Sequence, residues 1–310
     1  ILLKWNLFFN MRMILKKIKQ ENTWLKNILE NRKIDAVISD NRYGLFNKKT
    51  YCVFITHQLA IQSGWRSNES DGRWSRLAGA VGRWVDHKIL KWNYKFIEKF
   101  SSCWVPDWEG EDSIAGDLSH PHVLPNIQVN YMGVLSRFKK SYNNIINGSV
   151  LILLSGPEPQ RTEFENIIFR QMTDYPRQIV VVRGLPGLDS PIPFVRDGIK
   201  IYNHLPAVEL NEMINVSEII IARSGYSTIM DLVTLKKSAI LVPTPGQTEQ
   251  EYLAIYMQEK KWMYYLPQKN FNLVNALSAF RRMEKQLPEI PDSELHDVMK
   301  ELLIKVSGKG

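Results

Sequence analysis

The chain has 310 residues, of which 44% are hydrophobic and 23% charged, with two cysteines and a formal charge of +8. Its length is that of two globular domains, and the composition excludes a disulfide framework or a cysteine metal site. No apolar run reaches the ~18 residues of a membrane span, and no charged-then-apolar leader precedes a small-residue cleavage site, so a soluble or peripheral protein is expected.

Cys52 and Cys103 stand in apolar runs, as buried packing residues of a reducing compartment do. The sequence opens at Ile1 within a helix-like stretch and reads as lacking its true start. Charge is uneven: residues 1–100 carry 19 Lys/Arg against 8 Asp/Glu, and residues 101–310 carry 21 against 24. A basic first half predicts either an anionic partner, membrane surface or nucleic acid, or a merely solvated basic face.

In chain order, Leu7, Met11, Ile14, Leu15, Ile18, Trp24, Leu25 and Ile28 recur at spacings of three and four and predict helix over 1–31, in more than one piece. The β-branched and apolar runs 34–40 and 51–56 predict buried parallel strands. A helix over 73–99 and strands at 103–105 and 129–133 follow, and the polar, Asn- and Gly-bearing stretch 136–148 reads as a linker. The second half then alternates more regularly. Strands are predicted at 149–154, 178–182, 199–202, 218–222, 239–242 and 262–265, and helices at 160–172, 206–215, 226–235 and 248–259. A final amphipathic helix covers 292–305, capped by Asp292 or Ser293. The fold class is therefore α/β: two doubly wound, Rossmann-like domains with a cleft between them, at 1–135 and 149–310.

In such sheets ligands bind beyond the carboxyl ends of the strands, where helix N-termini attract phosphate. After the strand 218–222 come Arg223-Ser224-Gly225, a tight polar turn, and then a helix with Asp231 about two turns in. Gly225 lets a backbone approach a diphosphate, Ser224 can donate to it, and Asp231 can accept from a ribose; a plain turn and a solvated carboxylate are the bland alternative. After Ile240-Leu241-Val242, two prolines and Gly246 stiffen a loop in which Thr248 and Glu251 predict a capping box, with Glu249 or Gln250 turned into the same crevice.

Ala222-Arg223-Ser224-Gly225, Asp231-Leu232, Ala239 to Pro243 and the Gln250-Glu251 pair together resemble the C-terminal domain of glycosyltransferase family 28, over about residues 149–270. The family has Glu where this chain has Asp231, and Gln-Gln where it has Gln250-Glu251. The resemblance implies the GT-B plan. It implies that Ser224 and Gly225, with Arg223, hold the diphosphate, Asp231 the ribose, and Gln250 and Glu251 the donor sugar. Ser155, Gly156, Gln160 and Arg161 occupy the place of the family's Gly-rich loop, with two prolines as a departure. His204 and Leu205 lie where the family packs uracil; a capping role for His204 is the alternative.

In the first half, Ile55-Thr56-His57-Gln58 is similar to the family's His-Glu-Gln-Asn segment and makes His57 the acceptor-side catalytic candidate, with Gln58 in place of Glu; a structural strand-end histidine is the alternative. Arg42, after the preceding strand, is placed to meet an acceptor phosphate. Trp65, Trp74, Trp84, Trp92, Trp104 and Trp108, interleaved with Arg66, Arg73, Arg76, Arg83, Lys88, Lys91 and Lys95, form an aromatic and basic segment suited to an anionic bilayer surface. Stacking on nucleic acid, or a core role for the tryptophans, are the alternatives. The resemblance favours the membrane.

The function expected is transfer of a hexosyl group, hexose or N-acetylhexosamine, from a UDP-sugar to an acceptor hydroxyl, without a metal or other cofactor. A UDP-sugar epimerase, or a non-catalytic nucleotide-sugar-binding protein, are the rivals. The acceptor is left open, a lipid-linked one included, and the expected place is the cytoplasm of a bacterial-like cell, peripheral to the inner face of the envelope membrane.

Overall fold

The computed structural model describes residues 2–61, 73–141, 144–172, 178–187, 191–192, 197–289 and 294–308. Asp292 and Ser293, proposed as a helix cap, and Trp65 and Arg66 lie outside these residues, as do the side chains of Arg73, Trp74, Arg76 and Arg83. The chain divides into two compact units, one of Ile1–Gly133 with Pro291–Gly310, the other of Val134–Ile290.

The first unit opens with one continuous helix, α1 (Leu2–Asn31). Among its described side chains Ile18 and Leu25 are buried, and Asn22 Nδ2 donates to the carbonyls of Gly44 and Phe46 at 3.0 and 2.8 Å. Four parallel strands follow in sequence order across the sheet: β1 (Ala36–Asp40), β2 (Tyr51–Ile55), β3 (Ser102–Val105) and β4 (Gln128–Tyr131). Helix α2 (Arg73–Ile97) crosses from β2 to β3 and turns Tyr94 and Ile97 into a core with Cys52, Phe54, Cys103 and Val105. Both cysteines are fully buried free thiols, the packing role expected of them. The described tryptophans divide: Trp104 and Trp108 are core residues, Trp92 packs 4.8 Å from Phe96, and Trp84 is 62% exposed.

The second unit holds a six-stranded parallel sheet, from β5 (Ile146–Leu153), β6 (Ile179–Val182), β7 (Ile199–Tyr202), β8 (Ser217–Ala222), β9 (Ile240–Leu241) and β10 (Tyr264–Tyr265). Their order is β10-β9-β8-β5-β6-β7. The β-branched run Ile219-Ile220-Ile221 is buried on both faces, as a central parallel strand requires. Helices α3 (Gln160–Met172), α4 (Ala207–Val216), α5 (Tyr226–Thr234), α6 (Thr248–Glu259) and α7 (Leu273–Arg282) complete it. The stretch read as a linker is strapped down in this unit: Asn211 and Asn215 side chains accept from the N–H groups of Lys139 and Ser141 at 3.1 and 3.0 Å.

The last helix, α8 (Leu295–Ser307), falls in the first unit rather than with the C-terminal half where sequence order grouped it. Glu301 accepts from Gln128 at 3.0 Å and from Asn130, and Lys305 donates to Gln128 at 2.6 Å, so the edge strand β4 holds it.

Candidate functional site

The second sheet's order runs outward in both directions from β5 and β8, and all its strands point the same way. The loops after β5 and β8 therefore meet at the reversal of strand order, where an open α/β sheet leaves a crevice. Arg223, Ser224 and Gly225 follow β8 directly.

Arg223 is 1% exposed and faces inward. Its guanidinium donates to the carbonyls of Val242 (3.1 Å), Pro243 (3.2 Å) and Gln160 (2.9 Å), and lies 4.4 Å over the Phe164 ring. It joins the ends of β8 and β9 to the start of α3. Burial of the cation without a carboxylate pulls its pKa down to about 10. Ser224, also fully buried, donates from Oγ to the Gln250 carbonyl at 2.6 Å and so ties the start of α5 to the first turn of α6. Both side chains thus donate to main-chain carbonyls from behind the loop.

Gly225 is the N-cap of α5, with no side-chain cap hydrogen bond, and a Cβ built there meets nothing within 4 Å. Its φ of −69° suits any residue, so what glycine supplies is uncovered space over the first N–H groups of α5. Across from it Gly156 has φ +103°, and a Cβ there would stand 3.4 Å from Thr244 Oγ1, a buried hydroxyl without a hydrogen-bond partner. Ser155 is exposed beside it. Helix α6 likewise has no side-chain cap. Its N-cap is Gln247, not Thr248 as the capping-box pattern predicted, because Glu251 instead accepts from Gly246 N at 3.1 Å. Gln250 uses both ends of its amide on the loop, accepting from Thr244 N at 2.9 Å and donating to Gln247 Oε1 at 2.6 Å.

Asp231, half-buried on α5, accepts from Ser136 Oγ at 2.5 Å. Burial raises its pKa; Ser136 and Arg137 pull the other way, and the net position is above the ordinary aspartate range.

Arg161 is buried and committed: it donates to Glu158 at 2.6 Å and to Glu165 at 2.7 Å. Glu165 also takes a fork from Arg183, at 2.9 and 2.8 Å, and Arg183 goes on to Asn203 Oδ1 at 2.8 Å. Sequence reasoning missed this network, whose only signal is an arginine directly after an all-apolar strand. Gln160 turns its side chain to a cavity beside α3. After β7, His204 is exposed and Leu205 buried.

In the first unit His57 and Gln58 stand at the end of β2, where Gln58 N donates to Thr56 Oγ1 at 3.0 Å. Arg42 is engaged with Glu21 of α1 at 2.9 Å. A second cluster at this edge was not read from the sequence: Asp107, fully buried, accepts from the N–H groups of Trp108 and Ile114 (2.8 Å each) and Ala115 (3.0 Å), and from Ser119 Oγ at 2.6 Å. Ser119 in turn lies 2.8 Å from His120 Nδ1, whose ring stacks on Tyr131 at 4.6 Å. The signal available was Asp107 two residues beyond a strand end.

Residues 190–302 match the family model described as "Glycosyltransferase family 28 C-terminal domain". No curated protein matches the chain. Among solved structures it is similar to the glycotransferase of kitacinnamycin, with TM-score 0.58, 10% identity, and coverage of 96% of this chain and 82% of that one. It is similar to UDP-GlcNAc 2-epimerase from Neisseria meningitidis bound to UDP-GlcNAc (0.53, 12%, 94% and 82%). Acinetobacter baumannii MurG is a third (0.50, 13%, 93% and 78%). At these identities the likeness is one of fold, and it joins the family match and the strand order in one conclusion: residues 190–302 belong to the glycosyltransferase family 28 C-terminal domain, carried on a chain with the GT-B fold.

Proposed function

We propose that this chain is a glycosyltransferase that moves a hexose or N-acetylhexosamine from a UDP-sugar to an acceptor hydroxyl. The observation that carries this is the uncovered N-terminus of α5 at Gly225, at the strand-order reversal, with Asp231 two turns further along the same helix. The first-turn N–H groups and the helix dipole there suit the diphosphate that leaves as the bond from sugar C1 to phosphate oxygen breaks. Asp231 suits two ribose hydroxyls, with Ser136 holding its carboxylate in place. The acceptor oxygen bonds to C1 and gives up its proton; His57 in the first unit is the proposed acceptor-side group.

Charge stabilisation by main-chain donors needs no divalent cation, so turnover is expected to survive EDTA; loss of activity restored by Mg²⁺ would sink this part. The similarity of fold to a UDP-GlcNAc 2-epimerase supports a second reading, conversion of the donor sugar without an acceptor. On α2, Trp84 with Lys88 5.4 Å from its ring, and exposed Lys91 and Lys95 on following turns, support peripheral contact with an anionic bilayer. No described helix is long and apolar enough to cross a membrane.

The test is calorimetric titration with UDP-GlcNAc, UDP-glucose, UDP and GDP, beside Asp231→Ala, followed by product analysis. Uridine-selective binding weakened at least tenfold in the variant supports the donor site; isomerised sugar would favour the epimerase; binding of no nucleotide overturns both.

A further inference from the structure

Within the second unit the strap 134–141 is tied to two helices. From α4, Asn215 holds it twice, accepting from Ser141 N at 3.0 Å and donating to Lys139 O at 3.1 Å, and Asn211 accepts from Lys139 N. Phe138, buried at 5% exposure, anchors its middle. Ser136 makes the contact to α5: its Oγ accepts from Phe138 N at 3.0 Å and donates to Asp231 Oδ1 at 2.5 Å. A serine hydroxyl has a single proton, and the carboxylate takes it. The Phe138 N–H holds the same oxygen from the other side, so the direction of the donor is set by the strap.

That bond does two things to the carboxylate. It fixes the carboxyl torsion of Asp231, which is otherwise broad and roughly two-fold, and leaves Oδ2 unpaired among the described residues. It also supplies a donor to the charged form, against the burial that disfavours it. Arg137, exposed on the strap with its guanidinium 5.2 Å over the Phe138 ring, is the charged group whose field reaches Asp231. A half-buried carboxylate with one oxygen occupied presents the other in one direction only. Such a fixed anionic acceptor separates a sugar with neighbouring hydroxyls from one that lacks either of them, because a charge-assisted bond depends on alignment and a missing donor leaves the acceptor unpaired. We propose that Ser136 is the positioning residue that sets the ribose selectivity of the donor site, by turning Asp231 Oδ2 toward the 2′- and 3′-hydroxyls; this rests on the reading of Asp231 as the ribose acceptor.

The experiment titrates the full chain with UDP, 2′-deoxy-UDP and 3′-deoxy-UDP by calorimetry from mildly acidic to mildly basic pH, beside Ser136→Ala, Ser136→Thr, Asp231→Asn and the Ser136→Ala, Asp231→Asn double variant. Ser136→Ala is expected to weaken UDP at least fivefold and to narrow its margin over both deoxy analogues. It should also move the acid limb of UDP affinity to higher pH, because a carboxylate that loses a donor protonates sooner. Ser136→Thr keeps the hydroxyl and should bring all three readouts back toward wild type. In the Asp231→Asn background, Ser136→Ala should change UDP affinity less than twofold, since its effect runs through the carboxylate. A merely structural role for Ser136 would weaken the three ligands equally without moving the acid limb, and that result overturns the proposal. If Asp231→Asn weakens UDP while Ser136→Ala leaves both affinity and limb unchanged, the positioning role falls and the donor reading stands. UDP affinity untouched by Asp231→Asn, or no UDP binding at all, overturns both.

Discussion

Replacing Arg223 by Met keeps most of the buried stem and removes the guanidinium. Three charge-assisted bonds to Val242, Pro243 and Gln160 disappear, each contributing about 1.5–3 kcal/mol. Against them stands the penalty of burying the cation, which the fall of its pKa to about 10 puts at about 3 kcal/mol. The difference leaves the wild type ahead by about 2–6 kcal/mol, or a fall of about 5–15 °C in the melting temperature of a unit this size. Arg223→Lys should fall nearly as far, since one ammonium cannot span three carbonyls on two segments. Differential scanning calorimetry measures the melt and a UDP titration measures the site. Nucleotide affinity should fall in proportion to the loosening of the loops. A variant that melts within 2 °C of wild type yet loses UDP binding would refute the reasoning, because Arg223 would then be a ligand contact.

Asp231 is held above the ordinary aspartate range, chiefly by burial, so its contribution to stability is greatest below that range and is lost as pH rises through the elevated value. Asp231→Asn should therefore leave the neutral-pH melt unchanged or slightly raised while weakening UDP at least tenfold, and wild-type UDP affinity should drop on acidification where the variant's does not. Glu165 behaves oppositely. Burial pushes it up, but Arg183 and Arg161 outweigh that and hold it below the carboxylate range, so its stabilisation is present at neutral pH and lost as pH falls through the lowered value. Glu165→Gln leaves Arg183 buried without a carboxylate and Arg161 with only the exposed Glu158, and should cost about 3–5 kcal/mol by calorimetry. At Gly44 a Cβ would lie 2.5 Å from both Ile18 O and Glu21 Cβ, so Gly44→Ala must displace α1 and should cost about 1–3 kcal/mol, read from the melt of the first unit.

The bounds of α3, β7 and α6 were legible almost to the residue. Strand ends were less so. The run 239–242 narrows to β9 at Ile240–Leu241 as the chain enters Pro243, which has no N–H for a ladder. The run 262–265 starts late because Lys261, at φ 59°, turns left-handed and sends Trp262 N back to Met257 O, closing α6 before β10 begins. Helix α7 was missed although its signals are present: Asn272 caps it, accepting from Asn275 N, and Leu273, Ala276, Leu277 and Phe280 form its buried stripe. Spacing does not encode which way a polar side chain points. Arg223 and Arg161 read as ligand groups from their motif positions, and both turn inward; Trp104 and Trp108, grouped with a membrane-facing segment for which a core role was the alternative, are core.

That inward turn fits the diphosphate site proposed for so short a motif. Anionic leaving groups are best stabilised by donors already fixed before the reaction, since reorganising dipoles would consume the gain. Main-chain N–H groups at Gly225 and at the start of α6 are fixed only if the loops bearing them are, and surface loops of this kind are otherwise the loosest parts of a domain. Arg223 binds the β9 loop to the first residue of α3, Ser224 binds α5 to α6 through the Gln250 carbonyl, and Gln250 returns its amide to Thr244 N. Three helix starts and two loops thus become one body, with Gly156 and Gly225 left bare at its face. It follows that a side chain at Gly225 should act differently from one at Arg223: Gly225→Val leaves the packing behind the face intact, because its Cβ meets only open space, and so should keep the melting temperature while blocking the nucleotide.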